Sequence, residues 1–468
     1  MRGEVPIHIL LVSFPAQGHI TPLLRLGKCL AAKGASVIFS TTEKAGKTMQ
    51  TSNSITDKLA IPIGDGSLTF HFFDEGLLDG DATRTAFEHS AQVELAGTNF
   101  ISEMIKNHAD SNNPISCIIT NPFFAWVSDV AAQHDIPCAL SWIHSSAVFA
   151  AYYNYAHKLV PFPTVEEPYI DVELPFVVLK YDEIPDFIHP FNQYLFLGDL
   201  TIKQMKDMSK VFCVLVDTCE ELESDIIDYL SNIPIPVRSI GPLFRNPIIK
   251  QVSNVRGDFG KSDDDSAIIE WLNTKPKGSV VYISFGTVVD HPQEQVNEIA
   301  YGLLEAKVSF LWAKKNHVFP DGFLEETSGR GRVVKWSPQE QVLAHPSTAC
   351  YMTHCGWNST MEAIALGVPV LAFPSFGDHL TNAKFLVDVF GVGVKMGSNG
   401  AGSASNLVTR DEVSKCLLEV TTGEKAEKLK KNAIKWKKVA EDAVAVGGSS
   451  ERNLDAFIED IKKYQNLN

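Results

Sequence analysis

The sequence predicts an α/β protein built from two doubly wound domains. Three observations carry that prediction. Its 468 residues exceed what one core usually takes. Short β-rich runs alternate with amphipathic stretches along most of the chain, the pattern of parallel sheet covered by helices. One stretch near the middle, residues 246–266, lacks an apolar period and carries Asn, Gly, Lys and the run Asp263-Asp264-Asp265, which reads as a linker.

In the first half, residues 1–245, the strands read Ile7–Phe14, Ser36–Ser40, Ser116–Thr120, Cys138–Trp142, Val211–Val216 and Val237–Leu243. The first crossover helix is predicted from Thr21 as cap and Pro22 as first helical residue, through the stripe Leu23, Leu26, Leu30, to a stop at Gly34. Residues 267–446 repeat the alternation, with strands at Ser279–Phe285, Phe310–Ala313, Arg332–Trp336, Ala349–Thr353 and Pro369–Phe373. Charged helical segments follow at Glu424–Val446 and Glu451–Tyr464, the second within a terminal piece 447–468. Ligands of such sheets sit at the carboxyl ends of the strands, which predicts a site in the cleft between the two domains.

Composition narrows the function. Apolar residues make up 45%, enough for a buried core, and the net charge is −15. That balance argues against nucleic acid or an anionic membrane as partner, so any phosphate must be held locally. Eight cysteines form no CxxC pair and read as reduced thiols. No basic-then-apolar leader and no run of eighteen apolar residues is visible, which predicts a cytoplasmic protein without membrane insertion.

Common nucleotide signatures are missing: there is no GxxxxGK[ST], and Pro15-Ala16-Gln17-Gly18-His19 stands where a GxGxxG would follow the first strand. The acidic clusters Asp79-Gly80-Asp81 and Asp263-Asp264-Asp265 read as solvated loops, not as metal ligands. Gly391-Val392-Gly393 reads as a strand-entry turn and Gly397–Gly402 as a loop. The dense region runs from Trp336 to His379. Trp336 offers a face for a planar base with Ser337 and Gln339 beside it, although a core tryptophan fits the same pattern. His354-Cys355-Gly356-Trp357-Asn358-Ser359 is a glycine turn opening a helix, where backbone amides can hold an anion. Ser359 and Glu362 also fit a capping box, which would account for both residues structurally.

Trp336 through His379 resembles the 44-residue donor-binding signature of plant secondary-product UDP-glycosyltransferases, from its W-x-P-Q start through H-C-G-W-N-S and Glu362 to Gly367-Val368-Pro369 and Asp378. Phe14-Pro15-Ala16-Gln17-Gly18-His19 and Ser284-Phe285-Gly286-Thr287 extend the resemblance over the whole length. The resemblance implies a GT-B fold of two Rossmann-like domains: acceptor on the first, UDP-sugar on the second, and the final helix crossing back onto the first. It implies that Trp336 stacks on uracil and Glu362 accepts from the ribose hydroxyls. His354, Asn358, Ser359 and Thr287 then meet the diphosphate, and Trp357, Asp378 and His379 the hexose. UDP-sugar is a co-substrate; no cofactor and no metal is implied.

By the same resemblance His19 is the base of a single inverting displacement. An imidazole with an ordinary pKa near 6.5 can take a proton at neutral pH. Most family members place an aspartate beside that histidine; here Asn121 stands in Ile118-Ile119-Thr120-Asn121-Pro122-Phe123. An amide can accept a hydrogen bond from imidazole but brings no charge, so acceptors that arrive ionised are favoured. A carboxylic acid does so at pH 7 and a phenol does not. The Asn-Pro-Phe run, with Trp126-Val127-Ser128-Asp129-Val130, is similar to enzymes forming glucose esters of hydroxycinnamic, gallic or indole-acetic acids. O- or C-glycosylation of a polyphenol is the alternative, as is a UDP-sugar binder without turnover. His379, where glucose-using relatives usually carry glutamine, opens UDP-galactose as donor, with glucose favoured. Acceptor-lining loops are expected around Phe72–Asp81, Phe87–Phe100 and Tyr181–Leu197, in a monomer acting on small molecules.

Overall fold

The computed structural model describes residues 6–52, 55–76, 85–246, 249, 264–314, 318–397 and 407–467. The chain divides into two compact units. Unit 1 comprises Met1–His157, Tyr194–Phe259 and Asp442–Asn468, and unit 2 comprises Lys158–Gln193 and Gly260–Glu441.

Unit 1 is an eight-stranded sheet of β1 (His8–Val12), β2 (Ser36–Thr42), β3 (Ile61–Ile63), β4 (Gly66–Phe73), β5 (Cys117–Thr120) and β6 (Cys138–Trp142), joined later in the chain by β9 (Cys213–Val216) and β10 (Val237–Ser239). Its order is β10-β9-β6-β5-β1-β2-β4-β3, parallel except for β3 against β4. Helices cover both faces, so β1 reads as an unbroken apolar run. Ile9 and Leu11 face one core with the helix Gln17–Ala32, while Leu10 and Val12 face another with the helices Ala86–Asp110 and Trp126–Gln133. The terminal helix Ser449–Leu467 closes the first core with Leu454, Phe457 and Ile461. Each such burial contributes roughly 1.5–3 kcal/mol. Phe457 stacks on Phe212 at 5.8 Å, and Asp460 meets Arg238 at 2.5 Å.

Unit 2 carries a hairpin of β7 (Val172–Leu174) and β8 (Val177–Leu179). Its parallel sheet is built from β11 (Val280–Ser284), β12 (Ser309–Ala313), β13 (Gly331–Val334), β14 (Thr348–Thr353), β15 (Val370–Ala372) and β16 (Gly393–Lys395), in the order β13-β12-β11-β14-β15-β16. Gly391 and Gly393 do lead into a strand, β16. Strand order reverses between β1 and β5 in unit 1 and between β11 and β14 in unit 2. At such switch points the loops leaving adjacent carboxyl ends part and open a crevice.

Several local expectations differ from the structure. The first crossover helix starts at Gln17, so Pro22 lies inside it. Proline loses the hydrogen bond of its own nitrogen and its ring crowds the carbonyl four residues back, but its fixed φ is helical and a turn can form upstream of it at that cost. His19 therefore rides the first turn of a helix, its N–H bonded to the Ala16 carbonyl at 2.9 Å. Phe87–Phe100 is helix, not loop, because Thr85 and Glu88 make a reciprocal capping box. The segment Lys158–Gln193 belongs to unit 2 although sequence order leaves it in the first half. The Asp186 N–H donates to the Gly377 carbonyl at 2.8 Å and the Thr381 hydroxyl to the Glu183 carbonyl at 2.8 Å. Asp264, expected in a solvated loop, caps the helix Asp265–Asn273, accepting from the Ala267 N–H. Most of the linker 246–266, the cluster Asp79-Gly80-Asp81 and most of Gly397–Gly402 lie outside the described residues.

Candidate functional site

At the unit 1 switch point β1 and β5 run in register, Val12 beside Thr120, so the next residues, Ser13-Phe14 and Asn121, meet as the chains leave the sheet. Asn121 is fully buried. Its Oδ1 accepts from the Phe14 N–H at 3.0 Å, and its Nδ2 donates to Ser13 Oγ and to the His19 carbonyl, both at 3.1 Å. The expected hydrogen bond from imidazole to this amide is replaced by bonds to two backbone groups and the Ser13 hydroxyl. Geometry explains the change: a neutral amide has two N–H donors, and the nearest acceptors are the helix-turn carbonyl and a hydroxyl. The His19 ring is held by aromatic rings, with centroids 4.9 Å from Phe14 and 5.1 Å from Phe123.

At the unit 2 switch point β11 leads into Phe285-Gly286-Thr287 and β14 into His354-Cys355-Gly356. The two glycines clasp the His354 ring. A Cβ on Gly286, whose φ is +74°, would lie 2.8 Å from ring carbon Cε1, and one on Gly356 would lie 2.6 Å from Nε2. Burial, with the neighbouring His379 ring second, holds the His354 pKa well below the usual imidazole range, so at neutral pH the ring has one N–H to offer.

The helix Trp357–Leu366 begins with Gly356 at its cap position, so Ser359 and Glu362 do not form the predicted capping box. Ser359 is already the third helical residue, too far in for its hydroxyl to cap. Both belong instead to a hydrogen-bond network around Gln339. Gln339 Nε2 donates to Glu362 Oε2 at 2.7 Å and approaches Ser359 Oγ at 3.4 Å. Gln339 Oε1 accepts from the hydroxyls of Tyr282 and Tyr351, both at 3.1 Å, and Tyr282 also pairs with Ser337 Oγ at 2.9 Å. The two phenols stack at 5.0 Å. Burial pushes Tyr282 up to about 12 and raises Tyr351 as well, so both remain donors. Trp336 follows β13 half-buried, leaving ring area for a ligand, whereas Trp357 is buried and Thr287 exposed.

Asp378 and His379 open the helix His379–Lys384 beside His354, and the two imidazoles pack edge to face at 4.6 Å. Asn382 fixes this corner by donating to Asp378 Oδ2 at 2.6 Å and to the Cys355 carbonyl at 2.9 Å. His379 Nδ1 accepts from the Phe376 N–H at 3.4 Å, which places the proton of a neutral ring on Nε2. Sequence reasoning missed Tyr282, Tyr351 and Asn382. The signal available for the tyrosines was a phenol in the interior of two neighbouring apolar strands, a group that must find a partner.

Among the described residues no helix is long and apolar enough to cross a membrane. Residues 118–441 match the family described as UDP-glucoronosyl and UDP-glucosyl transferase. The chain is 51% identical over 474 residues to gallate 1-beta-glucosyltransferase of Quercus robur, covering 99% of this chain and 91% of that protein. It is 50% identical over 474 residues to cinnamate beta-D-glucosyltransferase of Fragaria ananassa, covering 99% and 84%. The crystal structure of Os79 from O. sativa in complex with UDP superposes with a TM-score of 0.84 at 27% identity, covering 97% of this chain and all of that one. With two doubly wound sheets, a glycine-clasped histidine at a helix start and full-length similarity of this order, the chain belongs to the UDP-glucoronosyl and UDP-glucosyl transferase family and is a UDP-glycosyltransferase.

Proposed function

We propose that this enzyme transfers glucose from UDP-glucose, with inversion, to the carboxylate of an aromatic acid, giving a 1-O-acyl glucose. The observation that carries the reading is Asn121: an uncharged side chain, bonded to the Phe14 N–H, the Ser13 hydroxyl and the His19 carbonyl, stands where most family members carry the aspartate that steadies an imidazolium. Acceptors that must lose a proton are penalised, and those already ionised are not. A carboxyl near pKa 4 is ionised at pH 7, while a phenol near 10 is not. The gallate and cinnamate glucosyltransferases similar to this chain act on acids of that class by name.

In this reading a carboxylate oxygen attacks the anomeric carbon as the bond to the diphosphate oxygen breaks, and UDP leaves with the electron pair. His19 orients the acceptor and takes a proton when a phenol is offered instead. Trp336 stacks on uracil, and Glu362, aimed by Gln339, accepts from the ribose hydroxyls. The diphosphate charge is met without a metal by Thr287, His354 and the backbone at Gly356, Asn358 and Ser359, whose helix-start potential complements developing negative charge. Trp357, Asp378 and His379 hold the hexose; with its Nδ1 accepting from the Phe376 N–H, His379 offers Nε2–H as a donor. The enzyme is read as a cytoplasmic monomer, consistent with eight free, buried cysteines.

The test is to incubate the protein with UDP-glucose, and separately UDP-galactose, against a panel of phenolic acids and flavonoids, and to treat the products with mild alkali and then acid. Alkali-labile products from UDP-glucose support the reading. Acid-labile or doubly resistant products would show O- or C-glycosylation of the ring. In a His19→Ala variant ester formation survives better than phenol glycosylation; full turnover on every acceptor would sink the His19 assignment.

A further inference from the structure

Phe123 sits two residues past Asn121 with φ of +77°, in the left-handed region that a bulky aromatic residue avoids. Such a conformation persists only where the surroundings hold it. One of the holds comes from 81 residues away: Gln204, on the helix Leu195–Lys206, accepts from the Phe123 N–H through Oε1 at 3.3 Å. Gln204 is 4% exposed, too buried for its oxygen to find that hydrogen bond in water. The turn it holds presents the Phe123 ring to His19 at 5.1 Å and edge-on to Phe14 at 5.3 Å, and Phe14 in turn lies 4.9 Å from His19. His19, Phe14 and Phe123 thus form one ring cluster, and one wall of it rests on a strained backbone turn.

We infer that Gln204 is a positioning residue for the transfer reaction: by bonding the strained Phe123 N–H it fixes the aromatic wall that orients the His19 imidazole. The inference rests on the reading of His19 given above. Loss of the hydrogen bond lets Phe123 relax toward an ordinary φ, which withdraws its ring and leaves the imidazole free to turn. Gln204 belongs to unit 1 and the donor-side residues described belong to unit 2, so its effect is expected on turnover and not on UDP-glucose recognition.

The experiment is a double-mutant cycle between Gln204→Met, which keeps size and removes the acceptor, and Phe123→Gly, which adopts the left-handed conformation unaided. With a phenol as acceptor throughout, the case in which His19 takes the proton, Gln204→Met is expected to lower kcat about tenfold with KM for UDP-glucose within about twofold, as a small misplacement of a reacting group does. Gln204→Glu, which restores an acceptor, should recover at least about a third of parental kcat, and in the Phe123→Gly background Gln204→Met should cost less than about twofold. Unchanged kcat in Gln204→Met overturns the inference. So does an equal loss in Gln204→Met and Gln204→Glu that persists in the Phe123→Gly background, since that pattern is packing alone. If Gln204→Met does not fold, Gln204→Asn, one methylene too short to reach, takes its place under the same criteria. His19→Ala is measured alongside: full turnover there defeats the His19 reading itself, whereas loss there with an insensitive Gln204 defeats only this inference.

Discussion

Gly356→Ala tests the donor side by steric means alone. The backbone at Gly356, φ −59° and ψ 145°, suits alanine, so no torsional strain enters. The new Cβ would lie 2.6 Å from His354 Nε2, and ordinary contact begins near 3.4 Å, so the ring must retreat by about 0.8 Å. It cannot do so freely, because Gly286 also lies against the Nε2–Cε1 edge of the ring and the His379 ring stands 4.6 Å away. Overpacking of this kind costs about 1–3 kcal/mol. If the cost falls on the donor-competent arrangement, UDP affinity drops between about fivefold and about a hundredfold, at 1.4 kcal/mol per decade. Calorimetric titration with UDP reads this directly. Gly329→Ala, where an added Cβ meets nothing within 4 Å, is the control and should leave affinity unchanged. UDP affinity within twofold of parent in Gly356→Ala would refute the clasp as a determinant of the donor site.

Other expectations follow from the same contacts. Asn121→Asp removes the donations to Ser13 and His19 and sets a carboxylate oxygen against the His19 carbonyl, which should cost roughly 2–3 kcal/mol in urea unfolding and raise the ratio of phenol to ester product. Gln339→Leu removes the 2.7 Å donation to Glu362 and the shared acceptor of the Tyr282 and Tyr351 hydroxyls, which are left with Ser337 Oγ and Ser359 Oγ alone. With Glu362 no longer aimed by that bond, UDP binding should weaken between about fivefold and about a hundredfold, as loss of a hydrogen bond to a charged buried group at about 1–3 kcal/mol implies. His291 lies against Phe285 at 4.5 Å and stacks on Phe373 at 4.9 Å. Burial first and Lys314 second, against an opposing Asp290, hold its pKa down to about 4. The unfolded ring near 6.5 binds a proton before the folded one does, so this contribution is full above pH 6.5 and is lost as pH falls toward 4. It amounts to at most roughly 3 kcal/mol. His291→Phe should flatten stability against pH over that window, measured by urea midpoints between pH 7 and 4.5.

Much of the architecture was legible because buried parallel strands leave continuous apolar runs: Cys138–Trp142 was placed to the residue and Ser116–Thr120 to within one. The donor residues were legible because one motif holds them in 44 consecutive positions. What escaped depends on partners distant in sequence. Gln339 is tied to Tyr282 across 57 residues, and Phe123 to Gln204 across 81; no local pattern announces either bond. The Ser359–Glu362 spacing satisfied a local rule, but Gly356 had already taken the cap position, so the side chains were released to the network around Gln339. Pro22 misled for a similar reason: it marks a permitted first-turn position without requiring that the helix begin there.

The claim at the centre of the account is that the attacking atom is a carboxylate oxygen. Competing a hydroxycinnamic acid against its own methyl ester, with UDP-glucose limiting, tests it most directly, since both carry the same phenol and only one carries the carboxylate. Nearly all glucose is expected on the acid as an alkali-labile ester. Comparable kcat/KM for the methyl ester, with glucose on the ring hydroxyl, would contradict it.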